Sequence, residues 1–131
     1  METNIIVKDK AILSLMKDTS ISELIKPLRN EIFLLKTFVA GTSQQNDHMI
    51  LGKIKDGDVL SLKREPENRF DENSIAVYDG ANHKLGYIPE KDNLVFARLM
   101  DAGKYLIGKS GGVERFGLVW TVTIDLYLVD Y

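Results

Sequence analysis

The chain has 131 residues, 44% of them hydrophobic and 27% charged, a composition typical of one globular domain with a single core. It has no cysteine, which excludes disulfides, thiolate zinc sites and cysteine nucleophiles, and its two histidines lack partners at metal-ligand spacing. The net charge of −2 does not favour nonspecific nucleic-acid binding, so any such binding must come from a local patch.

Residues 1–31 are predicted to form a helical arm. Apolar residues recur at helical spacing over residues 12–16 and 21–28, and Pro27 shortens or kinks this pattern. Because amphipathic helices usually serve a core, we interpret the arm as packed on the domain. The alternative is that residues 10–30 form a docking segment for a protein partner or for self-association.

No targeting or membrane segment is visible in the sequence. The first residues lack the basic region of a secretory signal, and no apolar run approaches about 18 residues. We therefore expect a cytoplasmic protein without membrane association.

Residues 32–131 are predicted to form a second domain built mostly of strands. One helix is expected to start at Asp92 as its N-cap and to end before Gly103. Turns are expected at Gly57-Asp58, at residues 79–82 and at Ser110-Gly111-Gly112. The predicted strands are Ile32–Ala40, Val59–Lys63, Ser74–Tyr78, Lys84–Ile88, Tyr105–Ile107 and a long one over Leu118–Val129.

The last strand is the clearest of the set, because apolar residues alternate along it from Leu118 to Leu128. Trp120 falls on the apolar face and is predicted to be core. Its length suggests a strand that bends and serves two parts of a barrel. Strands do not alternate regularly with helices, so we predict a mainly β (α+β) fold, a small oligonucleotide-binding-like barrel of about six strands with one inserted helix.

The loop between the second and third predicted strands carries the best candidate ligand site. Lys63 and Arg64 end a strand, and Arg69 and Phe70 precede Asp71. An exposed phenyl ring beside a cation can stack a base, which is worth about 1–3 kcal/mol per base, while the cation contacts phosphate. Asp71 could accept a hydrogen bond from a sugar hydroxyl or a base amino group. Equally consistent with the residue types is a buried Phe70 that pins the loop to the core.

Two further rings could extend this site. Tyr87 follows a glycine in the next predicted strand, and Phe116 repeats the Arg-Phe pairing after the Gly-Gly sequence. An ordinary strand tyrosine is the simpler interpretation of Tyr87. For Phe116, a ring at a mobile loop tip and a residue at a strand start remain open.

Catalytic signatures are missing from the sequence, which has no phosphate loop, dinucleotide fingerprint or nucleophile elbow. We predict no catalytic residues, no cofactor and no metal. The carboxylates Glu65, Glu67, Asp71 and Glu72 leave open a divalent-metal hydrolase, although a solvated acidic turn explains them as well.

A long motif from Lys63 to Val77 resembles the HIRAN domain family. It reads arginine-acid-proline-x-asparagine-x-aromatic-aspartate-x-asparagine-x-isoleucine over Arg64–Ile75, and the likeness covers about residues 36–130. The leader Asn30–Leu35 and the sequence Ala40–Ser43 are similar to stand-alone bacterial members.

The resemblance implies an oligonucleotide-binding-like barrel and a non-enzymatic DNA-binding module. In helicase-linked members the domain captures the 3′ end of single-stranded DNA, as expected in DNA repair or replication-fork processing. By motif, Phe70 and Asp71 would meet the terminal nucleoside and its 3′-hydroxyl, with Phe116 as a second ring.

This chain departs from the helicase-linked pattern at two places. It has Thr42-Ser43-Gln44 where those members place an arginine-tyrosine pair, and it has Tyr87 and Glu90 where they carry a histidine and a lysine. Losing cationic phosphate contacts lowers salt-sensitive affinity, so the resemblance implies weaker end binding or a different ligand.

Overall fold

The structure is a computed structural model that describes residues 30–42, 48–117 and 119–130. Of the described residues, those from 33 to 128 form one compact unit, and residues 30–32, 129 and 130 belong to a second. Residues 1–29 of the predicted helical arm lie outside the described residues. Its last two residues, Asn30 and Glu31, belong to the first strand.

Six strands make up a single sheet, in which β2 pairs antiparallel with β3 and β5, and β3 with β4, and two helices accompany them in the described chain. The sheet has the order β1-β6-β5-β2-β3-β4, which confirms the predicted mainly β class. The elements are β1 Asn30–Phe38, α1 His48–Leu51, β2 Val59–Arg64, β3 Ile75–Tyr78, β4 Lys84–Tyr87, α2 Glu90–Asp101, β5 Tyr105–Phe116 and β6 Val119–Asp130. No helix of the described residues is long and apolar enough to span a membrane.

The two edge strands, β1 and β4, meet just beyond the end of β1. The Ala40 amide donates to the Tyr87 carbonyl at 2.7 Å, and the Tyr87 amide donates back at 2.9 Å. Gly86 permits this approach, since a Cβ there would lie 2.3 Å from the Ala40 carbonyl oxygen. The sheet therefore curls until its two edges touch at one bridge. This curled sheet is an open version of the predicted barrel.

The core lies on the inner face of this sheet. On β6 the alternation predicted from sequence is confirmed, because Val122, Ile124 and Leu126 are fully buried and Trp120 packs partly buried against them. Ile124 lies against Gly108 of β5, where a Cβ would come within 2.3 Å of the Ile124 Cδ1 atom. The inner face thus combines large branched side chains with a glycine that makes room for them.

The N-cap of helix α2 lies three residues earlier than the sequence predicts. Pro89 is the N-cap residue, without a side-chain cap, and Asp92 lies in the first turn. Asp92 is therefore not the N-cap; its carboxylate accepts a 2.7 Å hydrogen bond from the Thr37 hydroxyl of β1. The predicted end is confirmed: Gly103 has φ +89°, donates to the Met100 carbonyl and closes the helix.

The predicted Gly-Gly turn is wrong, because β5 continues through it to Phe116. Gly111 packs against β6, where a Cβ would lie 2.6 Å from the Thr123 hydroxyl oxygen. Gly112 has φ +111° and donates its amide to the Ser110 hydroxyl at 3.0 Å. These glycines let the strand bend and pack closely; the chain turns only at Gly117, with φ +63°.

Candidate functional site

Residues 65–74 connect β2 to β3 and are called the Phe70 loop below. The Glu65 amide donates to the Ser74 carbonyl at 3.0 Å, which closes the base of the loop. A turn follows at once, since the Asn68 amide donates to the Glu65 carbonyl at 3.0 Å. Backbone hydrogen bonds therefore close the base of the loop and form its first turn.

Phe70 lies at the tip of this loop with 91% of its surface exposed. The Asn68 side-chain oxygen accepts hydrogen bonds from the Phe70 amide at 2.9 Å and from the Asp71 amide at 3.3 Å. The alternative of a buried Phe70 that pins the loop is therefore wrong. The ring projects into solvent from a backbone that is held in place.

The carboxylate of Asp71 is fixed from two sides. One oxygen accepts the Asn73 amide at 2.8 Å, as in an Asx turn, and the other accepts the side-chain amide of Asn93 at 2.8 Å. Asn93 is buried in α2, at 3% exposure. Asp71 itself is only partly buried, and each carboxylate oxygen retains capacity for a further donor.

Arg64 turns its guanidinium inward, toward the loop and α2. It donates from Nη1 to the Ser74 carbonyl at 2.7 Å and from Nη2 to the Glu72 carbonyl at 3.0 Å. Its Nε and Nη2 also donate to the two carboxylate oxygens of Asp101, at 2.9 and 3.2 Å. The predicted contact of Arg64 with a nucleic-acid backbone stays a prediction, and the structure gives the side chain four bonds within the protein.

Lys63 and Arg69 differ in how tightly they are held. The Lys63 ammonium donates to the Asn82 side-chain oxygen at 3.1 Å and lies 4.2 Å from the centre of the Tyr78 ring. Arg69 is exposed beside Phe70, and the described residues offer no partner to its guanidinium. Of the predicted cations, Arg69 is thus placed best to contact a ligand at the ring.

Tyr87 belongs to a polar cluster at the base of the Phe70 loop, together with Glu65 and Lys84. Its hydroxyl donates to Glu65 at 2.9 Å, and Lys84 donates to both Glu65 and the Tyr87 hydroxyl at 2.6 Å. Burial alone would raise the pKa of Glu65, but hydrogen bonds from Lys84, Asn68 and Tyr87 and the Lys84 charge hold it below its ordinary value. Burial alone would lower the pKa of Lys84, but its hydrogen bonds and charge interactions with Glu65 and Tyr87 raise it.

This cluster was missed by sequence reasoning. Glu65, in the Phe70 loop, and Lys84, on β4, are 19 positions apart, and no local sequence pattern pairs them. The sequence instead suggested Glu65 as a metal ligand, together with Glu67 and Asp71. Within the described ranges no three His, Cys, Asp or Glu side chains could hold a metal ion together.

Phe116 is the last residue of β5, so its backbone lies on a strand rather than at the tip of a glycine loop. The neighbouring Arg115 donates to the Gly117 carbonyl at 2.7 Å and lies 5.4 Å from the centre of the Trp120 ring. The predicted role of Phe116 as a second stacking ring stays a prediction.

A curled six-stranded sheet with an ordered loop that presents one phenyl ring defines a small β domain of the oligonucleotide-binding type. A family model, the HIRAN domain, matches residues 32–120. The chain therefore belongs to the HIRAN domain family, as its motif predicts.

Known proteins resemble the chain in sequence and in fold. It is 30% identical over 77 residues to the mouse helicase-like transcription factor, a match that covers 59% of this chain and 7% of that protein. A crystal structure of a Lactobacillus plantarum protein shares 27% identity at TM-score 0.72, and the match covers 79% of this chain and 99% of that one.

The fold is also that of the HIRAN domain of human HLTF. Its crystal structure has a TM-score of 0.59 and 18% identity, with 76% of this chain and 79% of that chain covered. The HLTF domain in its DNA-bound conformation has a TM-score of 0.54, again at 18% identity, with 77% and 80% covered. The chain thus spans a small part of the full mouse relative but most of the isolated domains.

Proposed function

We propose that this chain is a DNA-binding module. The observation that carries the proposal is Phe70, whose ring is 91% exposed on a loop that its own hydrogen bonds hold in place. An aromatic side chain fixed in solvent offers a face on which a base can stack without further ordering of the protein. Membership of the HIRAN family and the DNA-bound conformation of the HLTF domain support the same conclusion.

More specifically, the proposed ligand is single-stranded DNA, engaged at its 3′-hydroxyl end. Phe70 stacks on the terminal base, and the preoriented Asp71 carboxylate accepts a hydrogen bond from the terminal hydroxyl. A 3′-phosphate would place negative charge against that carboxylate and would be repelled. Arg69, exposed beside the ring, contacts the backbone. Recognition of free 3′ ends places the module in DNA repair or replication-fork processing.

Fluorescence anisotropy with a 5′-labelled oligonucleotide tests the proposal. We expect the wild type to bind a strand with a free 3′-hydroxyl more tightly than the same strand with a 3′-phosphate. Phe70→Ala should weaken binding by about 1–3 kcal/mol, or roughly 5- to 150-fold, because one base loses its stacking partner. Since the ring is exposed, the stability of the fold should not change.

A matched control is Phe33→Ala, which removes a phenyl ring that is 53% exposed on β1, outside the Phe70 loop. This variant should bind DNA like the wild type. Equal and near-zero binding of both oligonucleotides at low salt would refute the function, and full affinity in Phe70→Ala would refute the stacking role. Binding that ignores the 3′ group would leave a DNA-binding module without end recognition.

A further inference from the structure

Arg64 is the last residue of β2 and lies directly before the Phe70 loop. Its side chain is 13% exposed, although arginine at a strand end next to a ligand loop would ordinarily be solvated. Four hydrogen bonds use all but one of the five N–H donors of its guanidinium. Few donors are therefore left with which it could grip a phosphate.

The partners of Arg64 lie on two different elements. Glu72 and Ser74 contribute backbone carbonyls from the returning half of the Phe70 loop, and Asp101 contributes its carboxylate from the last turn of α2. The planar fork of an arginine can bridge a carboxylate and carbonyls at fixed angles, which a lysine cannot do. Arg64 thus joins the stem of the loop to the helix.

A second tie runs between the same two elements. The buried Asn93, eight positions before Asp101 on α2, donates to the Asp71 carboxylate at 2.8 Å. Phe70 lies immediately before Asp71, while Glu72 and Ser74 follow it. The residues after the ring are therefore attached to α2 directly by Asn93 and through the Arg64 guanidinium.

We propose that Arg64 and Asp101 form a latch that positions the Phe70 loop for DNA, so that Arg64 acts through the loop and does not contact phosphate. This role rests on the proposed DNA binding. Without the latch, the loop samples other conformations and the ring is presented for only part of the time. The apparent affinity is then the intrinsic affinity multiplied by the fraction of molecules that present the ring.

The Asp101→Asn variant distinguishes a latch from a phosphate contact, because the two roles of Arg64 predict opposite changes in DNA affinity. Removing a carboxylate from a DNA-binding surface strengthens binding through charge alone, and it would free Arg64 for phosphate. Loss of the latch weakens binding instead, by about 3- to 10-fold if the loop is competent for a tenth to a third of the time. The change does not harm α2 itself, because an acidic residue in the last turn opposes the helix dipole.

A matched control comes from another exposed aspartate. Asp56 is exposed in the turn before β2, and none of the described residues pairs with its carboxylate. Asp56→Asn makes the same substitution, removes the same charge and leaves the latch intact, so it should bind DNA as well as the wild type or better. Asp101→Asn is compared with this variant as well as with the wild type.

The salt dependence of binding provides a second readout, with Arg64→Gln. A side chain that contacts one phosphate contributes about 0.7 to the slope of log K against log salt for single strands. If Arg64 is a positioning residue, Arg64→Gln lowers affinity and keeps the wild-type slope. A slope smaller by about 0.7, or an Asp101→Asn variant that binds as tightly as Asp56→Asn, overturns the latch.

Amide hydrogen exchange reports on the latch independently of DNA. In Asp101→Asn we expect faster exchange at Glu65, whose amide closes the base of the loop, and unchanged exchange at core amides such as Ile124. If the wild type binds no DNA, the proposed function fails while this result still decides whether the latch exists. Unchanged exchange throughout the loop would show that Asp101 does not hold it.

Discussion

At the scale of single residues, Glu65 has a structural task that its position in an acidic sequence conceals. Its carboxylate accepts hydrogen bonds from Lys84, Tyr87 and Asn68, and the pKa of Glu65 is lowered below its ordinary value. The cluster connects the start of the Phe70 loop to β4. The charged form of Glu65 therefore stabilises the folded state.

Glu65→Gln should lower the free energy of unfolding by about 1 kcal/mol at neutral pH, the usual size for a partly buried ion pair with added hydrogen bonds. Since the folded state lowers the pKa, this stabilisation is fully present above the ordinary pKa of a glutamate. It disappears as the pH falls through the lowered value. Urea denaturation at several pH values should thus show the variant and the wild type converging in acid.

Glu67→Gln is the control for this measurement, since Glu67 lies in the same loop, is exposed, and forms no hydrogen bond with the described residues. It should leave both stability and its pH dependence unchanged. If the difference in unfolding free energy between Glu65→Gln and the wild type persisted in acid, the effect would come from packing and not from charge.

The motif proposes the residues of the candidate site from sequence, but it does not give their surroundings in the fold. The motif located Phe70 and Asp71, because an aromatic-aspartate pair in an asparagine-rich loop has a chemical use. Whether the ring is buried depends on contacts that only the fold defines, and so does the pairing of Arg64 with Asp101, 37 positions away. Local sequence carries no signal for a partner at that distance.

At the scale of elements, the meeting of β1 and β4 depends on Gly86. A Cβ at this position would lie 2.3 Å from the Ala40 carbonyl oxygen and 2.9 Å from a methyl group of Val39. Backbone atoms cannot move aside as the end of a flexible side chain does. A methyl group there would push the two strands apart and strain both hydrogen bonds of the bridge.

Gly86→Ala should therefore destabilise the fold by about 1–3 kcal/mol, the usual cost of overpacking in a well-packed site. Denaturant unfolding measures this change. Gly80→Ala, in the turn between β3 and β4, is the matched control, because a Cβ there meets nothing within 4 Å and its φ is not positive. If both variants were equally stable, the bridge would contribute little to the fold.

The strands were the most predictable elements and the glycines the least. Alternation on β6 located its buried face, because a period of two follows directly from strand geometry. Gly111 and Gly112 look like a turn in sequence, yet they serve a bent strand that packs closely on Thr123. Glycine permits both structures, and only the neighbouring strand decides between them.

At the scale of the whole molecule, net charge bears on whether DNA is bound through long-range electrostatic attraction or through local contacts. A chain of net charge −2 has no long-range field that attracts a polyanion. Near the Phe70 ring, Arg69 is exposed, Lys63 is partly occupied by Asn82 and Tyr78, and Arg64 is held in its latch. Under the proposed function, affinity at this site comes mainly from stacking and from hydrogen bonds to the strand end.

The salt dependence of wild-type binding should accordingly be shallow. One or two phosphate contacts, from Arg69 and Lys63, give a slope of about −0.7 to −1.4 for log K against log salt. Anisotropy titrations over a series of sodium chloride concentrations measure it, and Arg69→Gln should reduce it by about 0.7. A slope steeper than about −3 would require several phosphate contacts beyond the Phe70 loop, and DNA would then be held chiefly by charge and not by its end.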